Sequence, residues 1–493
     1  MRTHGNETRI ECSREPQDYD AFPGTTRRRA ARMSSSPRVG WLFAYDWDRG
    51  AMRRLGAPGG PVRCDHAGFD LFSFPSKLQL PAFDLECFAA RQAARGRRRG
   101  WQAVLSHHEQ FGALAAALVA ERLRLPGATP ESILAAQHKL HARRVLAQVA
   151  PDANLRFTVL DAGEDAPAPG NLDYPVFVKP VKGAFSVLAR RIEEPDQLRA
   201  HTRFGWSERW LIHQLVEPFE RVRRARLPQA GSAYRMLLEE PVAPQTAQFN
   251  LDGWVQDGRV HALGVVDAVM YPGTQAFMRW EHPSRLAAAV QRRALDVAQR
   301  FLGAIGYAHG FFNLEFFYDD DDDCLRVIEC NPRLASQFSD LYERVHGVDA
   351  HAMALALALG ADPQSLPLRR PTARAAASLV YRAFDASGDV PPAPAGPQRE
   401  ALARGFPDAL LFSFPKRGRS LARDFRWTGS HRYGIVHLGG RDREHLRQSC
   451  EDASALLGWP APYLDHGPLP ARAHAATPCF SSLDASSAEA SVV

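Results

Sequence analysis

Acidic and amide side chains recur near the middle of the chain, where they could bind a divalent cation. Two apolar runs, residues 311–318 and 325–331, flank the five aspartates Asp319–Asp323. This pattern predicts a β-hairpin with an acidic turn. We expect the turn aspartates to be solvated rather than metal-binding, because a flexible turn of like charges repels itself.

The better candidate ligands lie on the two predicted strands. Because successive side chains point to opposite faces of a strand, Asn313 and Glu315 share one face, as do Glu329 and Asn331 on the partner. If both polar faces coincide, Glu315, Glu329 and Asn331 converge beside Arg333. Oxygen ligands of this kind suit Mg²⁺ or Mn²⁺. A half-buried polar sheet face is the alternative, although two glutamates crowded without a cation cost energy.

Lysine is scarce, with five residues among 61 Lys plus Arg, and two of them could bind phosphate. Lys179 ends the apolar segment VFVK, and KPVKGAFS then supplies Gly183 for close backbone approach and Ser186 as a donor. A lysine ammonium is a compact charge, whereas the wide fork of arginine would displace a nucleotide. Lys139 lies mid-helix just before this segment, and we expect Lys182 to face solvent.

Three further segments could contact a substrate or a metal. Residues 267–284 contain a turn at Tyr271 and a cation at Arg279, although an ordinary surface loop explains them equally well. The segment TGSHRYG could bring Arg432 into the same cleft. The segment SHHEQF, residues 106–111, invites a metal interpretation. Adjacent histidines point to opposite faces of a strand, so we expect a plain loop there.

Strands and helices must alternate to position these side chains. Strands are predicted near residues 39–45, 100–106, 154–160, 174–179, 185–192, 209–216, 246–256, 259–270, 311–318 and 325–331. Helices are predicted at residues 112–125, 132–150, 194–204 and 283–305. This alternation indicates an α/β or α+β fold.

The chain of 493 residues is too long for a single core. Both ends are polar or Ala/Ser-rich and are predicted to be disordered. The predicted boundaries are a disordered extension at 1–38, an N-terminal α/β domain at 39–128, a nucleotide-binding domain at 129–365 with lobes at about 129–208 and 209–365, a C-terminal α+β segment at 366–465 and a disordered tail at 466–493.

The net charge of +6 suits an anionic ligand such as a nucleotide, or else nucleic acid. The arginine run at residues 95–100 has no interleaved aromatic residues, which disfavours nucleic-acid binding. Seven scattered cysteines without a CxxC pair indicate neither a zinc site nor a disulfide framework. No apolar run reaches the length of a membrane span or a signal sequence. We therefore expect a cytoplasmic protein with no membrane and no specific nucleic-acid partner.

Taken together, these motifs resemble the ATP-grasp superfamily of the carboxylate–amine ligase type, which includes D-alanine–D-alanine ligase, biotin carboxylase and carnosine synthase. The resemblance covers residues 100–360 with specific motifs and 39–440 more loosely. It implies the ATP-grasp fold, with an N-terminal Rossmann-like pre-ATP-grasp domain and a C-terminal α+β extension. The phosphate segment GAFSVL departs from the family, which has several glycines there.

The resemblance also assigns roles to individual residues. It implies that Lys139 and Lys179 bind the ATP phosphates, and that Glu315, Glu329 and Asn331 bind Mg²⁺. Arg333 in NPR would face the phosphoryl or acyl-phosphate group. The family's adenine hinge is usually written with two acidic residues, an aromatic, an apolar residue and a later Glu. WLIHQLVEPFE would then place Gln214 and Val216 at adenine and Glu220 at the ribose, with His-Gln where acidic residues are common.

The implied activity is an ATP-dependent ligase that joins a carboxylate to an amine through an acyl phosphate, with an amino-acid-like substrate. Its partners would be a small-molecule carboxylate, a small-molecule amine and a second copy in a homodimer. Another ATP-grasp activity, biotin-carboxylase-like or small-molecule kinase-like, is the alternative. A non-catalytic nucleotide or nucleic-acid binder is a third hypothesis, against which the complete set of metal ligands counts.

Overall fold

The computed structural model describes residues 36–69, 80, 83–160, 172–183, 188–243, 246–385 and 390–463. The predicted tail at 466–493 and Ser186 lie outside these residues, as does nearly all of the predicted extension at 1–38. From Pro37 onwards the described residues form one compact unit.

The N-terminal part is a three-stranded parallel sheet in the order β2-β1-β3. Its strands are β1 (Arg38–Leu42), β2 (Arg63–Ala67) and β3 (Trp101–Leu105), and its helices are α1 (Asp46–Leu55), α2 (Leu85–Arg99) and α3 (Gly112–Leu123). Parallel neighbours require crossover connections, which the helices provide. This architecture agrees with the Rossmann-like domain that the resemblance implies.

A four-stranded sheet in the order β4-β7-β5-β6 follows. Its strands are β4 (Phe157–Leu160), β5 (Val176–Pro180), β6 (Arg190–Ile192) and β7 (Met236–Glu239). The helices of this part are α4 (Pro130–Gln137), α5 (Lys139–Val149), α6 (Pro195–Thr202) and α7 (Trp206–Arg226). All its strand pairs are antiparallel.

The helix predicted at 132–150 is two helices, because the chain is extended at His138, with φ −87° and ψ 93°. The His138 ring accepts a hydrogen bond from the backbone N–H of His141 at 3.2 Å and so caps α5. Lys139 is therefore the first residue of α5 rather than a mid-helix residue. Its side chain projects from a helix start that tertiary contacts hold in place.

The strand predicted at 209–216 is wrong, because these residues lie within α7. The helix buries Val216, Phe219 and Val222, which recur every three residues. The Glu208 side chain caps its start by accepting the Gly205 N–H at 3.0 Å. A short apolar run does not distinguish a strand from a buried helix face, which is why the sequence misled here.

The third sheet has eight strands in the order β12-β11-β8-β9-β10-β13-β15-β14. They are β8 (Ala247–Gln256), β9 (Arg259–Met270), β10 (Phe277–His282), β11 (Gly310–Asp319), β12 (Cys324–Asn331), β13 (Ala375–Ala383), β14 (Leu410–Ser413) and β15 (His431–Gly440). The accompanying helices are α8 (Ala288–Ala304), α9 (Ser339–His346), α10 (Ala350–Ala358), α11 (Gly396–Gly405), α12 (Gly418–Thr428) and α13 (Arg443–Leu457).

The acidic turn between β11 and β12 is a solvated hairpin turn, as predicted. Its last residue, Asp323, accepts hydrogen bonds from Arg293 at 2.5 Å and from the Tyr318 hydroxyl at 2.9 Å. Asp321 and Asp322 are exposed. Among the described residues, no helix combines the length and the apolar character that crossing a membrane requires.

Candidate active site

The acidic face predicted from the hairpin is present. Glu315 on β11 lies directly opposite Glu329 on β12, and Asn313 lies opposite Asn331. The Asn331 side-chain amide donates to Glu315 Oε1 and to Asn313 Oδ1, both at 3.1 Å. Gln248 on the adjacent strand donates to Glu315 Oε2 at 3.3 Å. The three predicted metal ligands therefore converge on one face of the sheet.

The two carboxylates on this face are close together and buried, an arrangement that favours a bound cation. Burial, followed by the charge of Glu329, raises the pKa of Glu315 to about 8. Burial also opposes ionisation of Glu329, but the nearby ammonium groups of Lys139 and Lys179 lower its pKa. The face thus holds two buried carboxylates, and burial and mutual repulsion oppose ionising both of them. A divalent cation on these hard oxygen donors would let both ionise.

Two of the scarce lysines point toward the acidic face. The Lys139 ammonium lies 2.9 Å from Glu329 Oε2 and donates to the Gly183 carbonyl at 2.8 Å. The Lys179 ammonium lies 2.8 Å from Glu239 Oε2 and donates to the Ile328 carbonyl at 3.2 Å. Carboxylate and backbone oxygens therefore hold both ammonium groups in place. Lys139 lies between Glu329 and Gly183, and Lys179 lies between Glu239 and Ile328.

Lys182 is buried, not solvent-facing as predicted, with 3% of its surface exposed. Its ammonium donates to Gln137 Oε1 at 3.1 Å and lies 4.8 Å from the centre of the Phe219 ring. Burial lowers the pKa of Lys182 to about 7, and the positive charge of Lys139 contributes to this shift. A third ammonium group therefore belongs to the site, and it changes charge near neutral pH.

Arg333 is held in the site by a residue that the sequence interpretation assigned to a plain loop. Its Nη2 atom lies 2.9 Å from Glu109 Oε2. The Glu109 carbonyl in turn accepts the side-chain amide of Gln137 at 2.8 Å. A signal for Glu109 was available, because it follows the carboxyl end of β3, where open parallel sheets bind ligands.

The two histidines of the same segment point in different directions, as predicted. His107 Nδ1 lies 2.8 Å from Asp48 Oδ1, and His351 Nε2 lies 3.2 Å from the same oxygen. His108 instead stacks on Tyr45 at 5.0 Å between ring centres. The three nitrogen and oxygen atoms around Asp48 lie close enough for a metal, but hydrogen bonds satisfy the buried carboxylate.

The residues predicted to form the adenine hinge belong to a helix instead of a strand. Gln214 and Val216 lie inside the helix α7 rather than on an extended hinge segment. The Glu220 carboxylate accepts from Arg223 at 2.7 Å and from the Ala233 N–H at 3.0 Å. The Glu220 carboxylate is therefore occupied by contacts within the protein.

A pair of acidic residues occurs at the end of β7. There LEEPV provides Glu239 and Glu240, followed by Pro241 and the apolar Val242. β7 pairs with β5, the strand that carries Lys179, and leads into β8 of the large sheet. The Glu-Glu doublet is a signal in the sequence, whereas the apolar run of α7 is the buried face of a helix.

The structure does not bring the three candidate substrate residues Tyr271, Arg279 and Arg432 together. Arg279 is buried against Glu281 at 2.6 Å and lies 4.0 Å over the Tyr463 ring. The Tyr271 hydroxyl donates to the Val380 carbonyl at 2.7 Å, at a turn as predicted. Neither side chain lines the cavity described next. Arg432 does line it.

Some of these groups line a cavity of about 910 Å³. Its lining includes Glu109, Lys182, Gly183, Glu315, Glu329, Arg333, Arg382, Phe414 and Arg432. The cavity therefore has acidic and basic groups at the β11–β12 hairpin and a second basic region on the C-terminal strands. Charged groups in such a partly apolar enclosure interact more strongly than in water.

Comparisons with known proteins were made for the sequence and for the fold. No protein-family model matches the chain. Carnosine synthase 1 of Gallus gallus is 29% identical over 330 residues, 63% of this chain and 33% of that protein. The chain thus spans about a third of the length of this curated relative.

Among solved structures, an L-amino acid ligase from Bacillus licheniformis superposes with a TM-score of 0.60 at 15% identity, covering 85% of this chain and 97% of that one. N5-carboxyaminoimidazole ribonucleotide synthetase from Thermus thermophilus gives 0.56 at 18% identity, covering 85% and 98%. These similarities confirm the expected ATP-grasp fold.

Proposed function

We propose that this chain, whose fold is ATP-grasp, is an ATP-dependent ligase that joins a carboxylate to an amine through an acyl phosphate. One observation carries the proposal. Glu315, Glu329 and Asn331 converge on one face, and the ammonium of Lys139 lies 2.9 Å from Glu329. Paired carboxylates next to fixed cations are the arrangement that phosphoryl transfer from Mg²⁺-ATP requires. The ligases named above support the C–N bond-forming class.

The residues present would hold both ATP and its metal. Lys139, Lys179 and Gly183 would bind the phosphates, and the backbone at Glu240 and Val242 would bind adenine. Glu315, Glu329 and Asn331 would bind Mg²⁺ or Mn²⁺. When bound, the metal neutralises charge on the transferring phosphoryl group.

The protein's own groups then account for the chemistry. Arg333 would orient the substrate carboxylate, one oxygen of which takes the γ-phosphoryl group while ADP leaves. The amine nitrogen attacks the carbonyl carbon, the carbon–oxygen bond to phosphate breaks, and the nitrogen loses a proton. Fixed cations in an enclosed cavity stabilise the developing charge. Enclosure also matters because water would hydrolyse the acyl phosphate.

The setting is part of the proposal. The substrates would be a small-molecule carboxylate and a small-molecule amine of amino-acid type, handled by a cytoplasmic enzyme that forms a homodimer.

Hydroxylamine trapping tests the proposal directly. A panel of amino acids is incubated with Mg²⁺-ATP and hydroxylamine, and both hydroxamate and ADP are measured. We expect hydroxamate from a subset of carboxylates, and ADP release in its absence only when a carboxylate and an amine are both supplied. Turnover with bicarbonate or an alcohol alone would favour the alternative ATP-grasp activities. Salt-sensitive nucleic-acid binding without ATP turnover would refute the ligase proposal.

A further inference from the structure

Two arginines face each other on the C-terminal strands. Arg382 on β13 is the register partner of Arg432 on β15, next to an irregularity between Tyr381 and Arg382. Both side chains line the large cavity. They belong to the second basic region of that cavity, which the proposed metal and phosphate residues do not use.

Neither guanidinium has a carboxylate partner among the described residues. Arg382 donates to the Phe277 carbonyl at 3.2 Å and to the Ser430 hydroxyl at 2.9 Å, and both acceptors are neutral. Arg432 lies 4.6 Å over the Phe414 ring. The nearby Asp424 is already bound by Lys416 and by His431. Among the described residues, this pair therefore has only the shared charge of Asp424 nearby and no carboxylate of its own.

The four arginines that are buried among the described residues each have a carboxylate within 3 Å, in the pairs Arg143–Glu239, Arg223–Glu220, Arg279–Glu281 and Arg344–Asp340. Arg382 and Arg432 are half-buried and have no carboxylate at that distance among the described residues. Burial, followed by the charge of Arg432, lowers the pKa of Arg382 to about 10. Two like charges that share a desolvated space cost free energy unless an anion joins them.

Aromatic side chains near the arginine pair form a wall of the cavity. The Trp280 ring lies 4.7 Å from the Phe277 ring and 5.6 Å from the Phe338 ring, measured between centres. All three residues line the cavity. A ligand that places an anionic group on the arginines can therefore place an apolar or aromatic group against this wall.

The arginine pair is close to the reacting end of the cavity. Burial lowers the pKa of Arg432, and the charge of Asp424 opposes that shift. Tyr45, Arg333 and Arg432 all line the same cavity. The Tyr45 hydroxyl also accepts the Glu109 N–H at 3.4 Å. One small molecule can thus reach from the Arg382–Arg432 pair toward Arg333.

We propose that Arg382 and Arg432 bind the free carboxylate of the amine substrate, which is therefore an amino acid with an apolar or aromatic side chain. The product is then a peptide with a free carboxylate rather than the amide of a simple amine. This inference rests on the proposed ligase function. The carboxylate that reacts must lie at Arg333 and the acidic face, so the arginine pair serves the other substrate. Guanidinium groups bind carboxylates through paired, charge-assisted hydrogen bonds.

The first test uses the unmodified chain. An amino acid, its amide and its decarboxylated amine compete as acceptors for the same activated donor, and peptide or amide products are measured. We expect kcat/KM to be about 10- to 100-fold higher for the free amino acid, the range that loss of a charge-assisted hydrogen bond produces. Equal use of the decarboxylated amine, or a preference for a phosphorylated amine, would overturn the inference.

The second test uses Arg432→Gln and Arg382→Gln, with Arg404→Gln on the exposed face of α11 as the matched control. The rate of peptide formation is divided by the rate of hydroxamate formation, which needs no amino-acid acceptor. We expect this ratio to fall about 10- to 100-fold in both cavity variants and to stay constant in the control. An unchanged ratio would assign the pair to the donor or to no substrate and so overturn the inference.

The two proposals fail in different ways. If no carboxylate yields hydroxamate in the unmodified chain, the ligase function is refuted and the inference falls with it. If hydroxamate forms but acceptors without a carboxylate react equally well, the ligase function stands and only the role of the arginine pair is refuted.

Discussion

Glu315 and Glu329 bring two carboxylates to one buried point of the β11–β12 hairpin, and only Lys139 directly balances them. Burial, and then the charge of Glu329, raises the pKa of Glu315 to about 8, so ionising both without a further cation is unfavourable. Burying the two carboxylates thus costs folding free energy when no cation is bound, and the pair is well suited to bind a metal ion. The exposed aspartates of the adjacent turn carry more charge but lack this geometry.

Glu329→Gln tests the metal assignment because it replaces one carboxylate oxygen with an amide nitrogen. Because the amide keeps the volume but removes the charge, we expect Mn²⁺ binding to weaken and ATP turnover to fall about 100-fold or more. Isothermal titration measures the metal and a coupled ADP assay measures turnover. Asp321→Asn in the exposed turn is the control and should behave as the unmodified chain. Retained turnover in Glu329→Gln, with an unchanged melting temperature, would refute the assignment.

Lys182 makes nucleotide binding depend on pH. With a pKa of about 7 the Lys182 side chain is mostly the neutral amine at pH 8, and a bound polyphosphate would favour the charged ammonium. Binding of Mg²⁺-ADP at pH 8 should therefore take up close to one proton more than in Lys182→Met, and affinity should decrease as pH rises above about 7. Titration calorimetry in buffers of different ionisation enthalpy measures the protons.

Lys182→Arg provides the control for that experiment, since a guanidinium stays charged throughout and should abolish the extra proton uptake. Equal uptake in the unmodified chain and in Lys182→Met would show that Lys182 does not face the phosphates.

Sequence reasoning succeeded for single residues where a local rule determines the outcome. The alternation of a strand fixes the faces of Glu315, Glu329 and Asn331, so their convergence could be predicted. It did not succeed for Lys182 and Glu109, because burial and pairing depend on segments 45 and 224 residues away in the chain. No local pattern carries that information.

At the scale of elements, α7 and β7 show the limit of apolar patterns. The run WLIHQLV satisfies the composition of a strand, yet its residues occupy a helix that buries one face. The shorter MLLE of β7 is the strand, and it lies between β4 and β5 in the sheet. Neighbouring strands, rather than composition, decide which segment joins a sheet.

Hydrogen exchange distinguishes the two candidate hinges. If the backbone after β7 binds adenine, Mg²⁺-ADP should slow exchange at Val242 and Ala243 by about tenfold or more, whereas the Glu240 N–H already donates to the Arg156 carbonyl at 3.0 Å. The amides of residues 213–217, 219 and 220 lie within α7 and should change little. Mass spectrometry of peptic fragments with and without nucleotide measures the difference. Protection confined to 213–220 would contradict the placement of the hinge at β7.

At the scale of the whole molecule, the large sheet connects the proposed metal site with the C-terminal strands. β10 pairs with β9 on one side and with β13 on the other, and β13 pairs with β15. The acidic face and the arginine pair are thus parts of one hydrogen-bonded sheet. The sequence indicated an α+β segment at the C-terminal end, but the pairing of its strands with β10 is a long-range contact that no motif encodes.

The continuity of this sheet predicts that damage in the C-terminal strands reaches the nucleotide site. Ala377 on β13 is fully buried and pairs with Glu281 on β10 and Leu438 on β15. Proline there removes a ladder hydrogen bond and strains both pairings, at a cost of about 3 kcal/mol or more. We expect Ala377→Pro to lower the melting temperature and to abolish the stabilisation that Mg²⁺-ADP gives. Ala393→Pro, in the exposed loop before α11, is the matched control and should melt and bind normally. Scanning calorimetry with and without nucleotide measures both effects. If Ala377→Pro retained full stabilisation by nucleotide, the C-terminal strands would fold independently of the site, and a shared sheet would not imply shared stability.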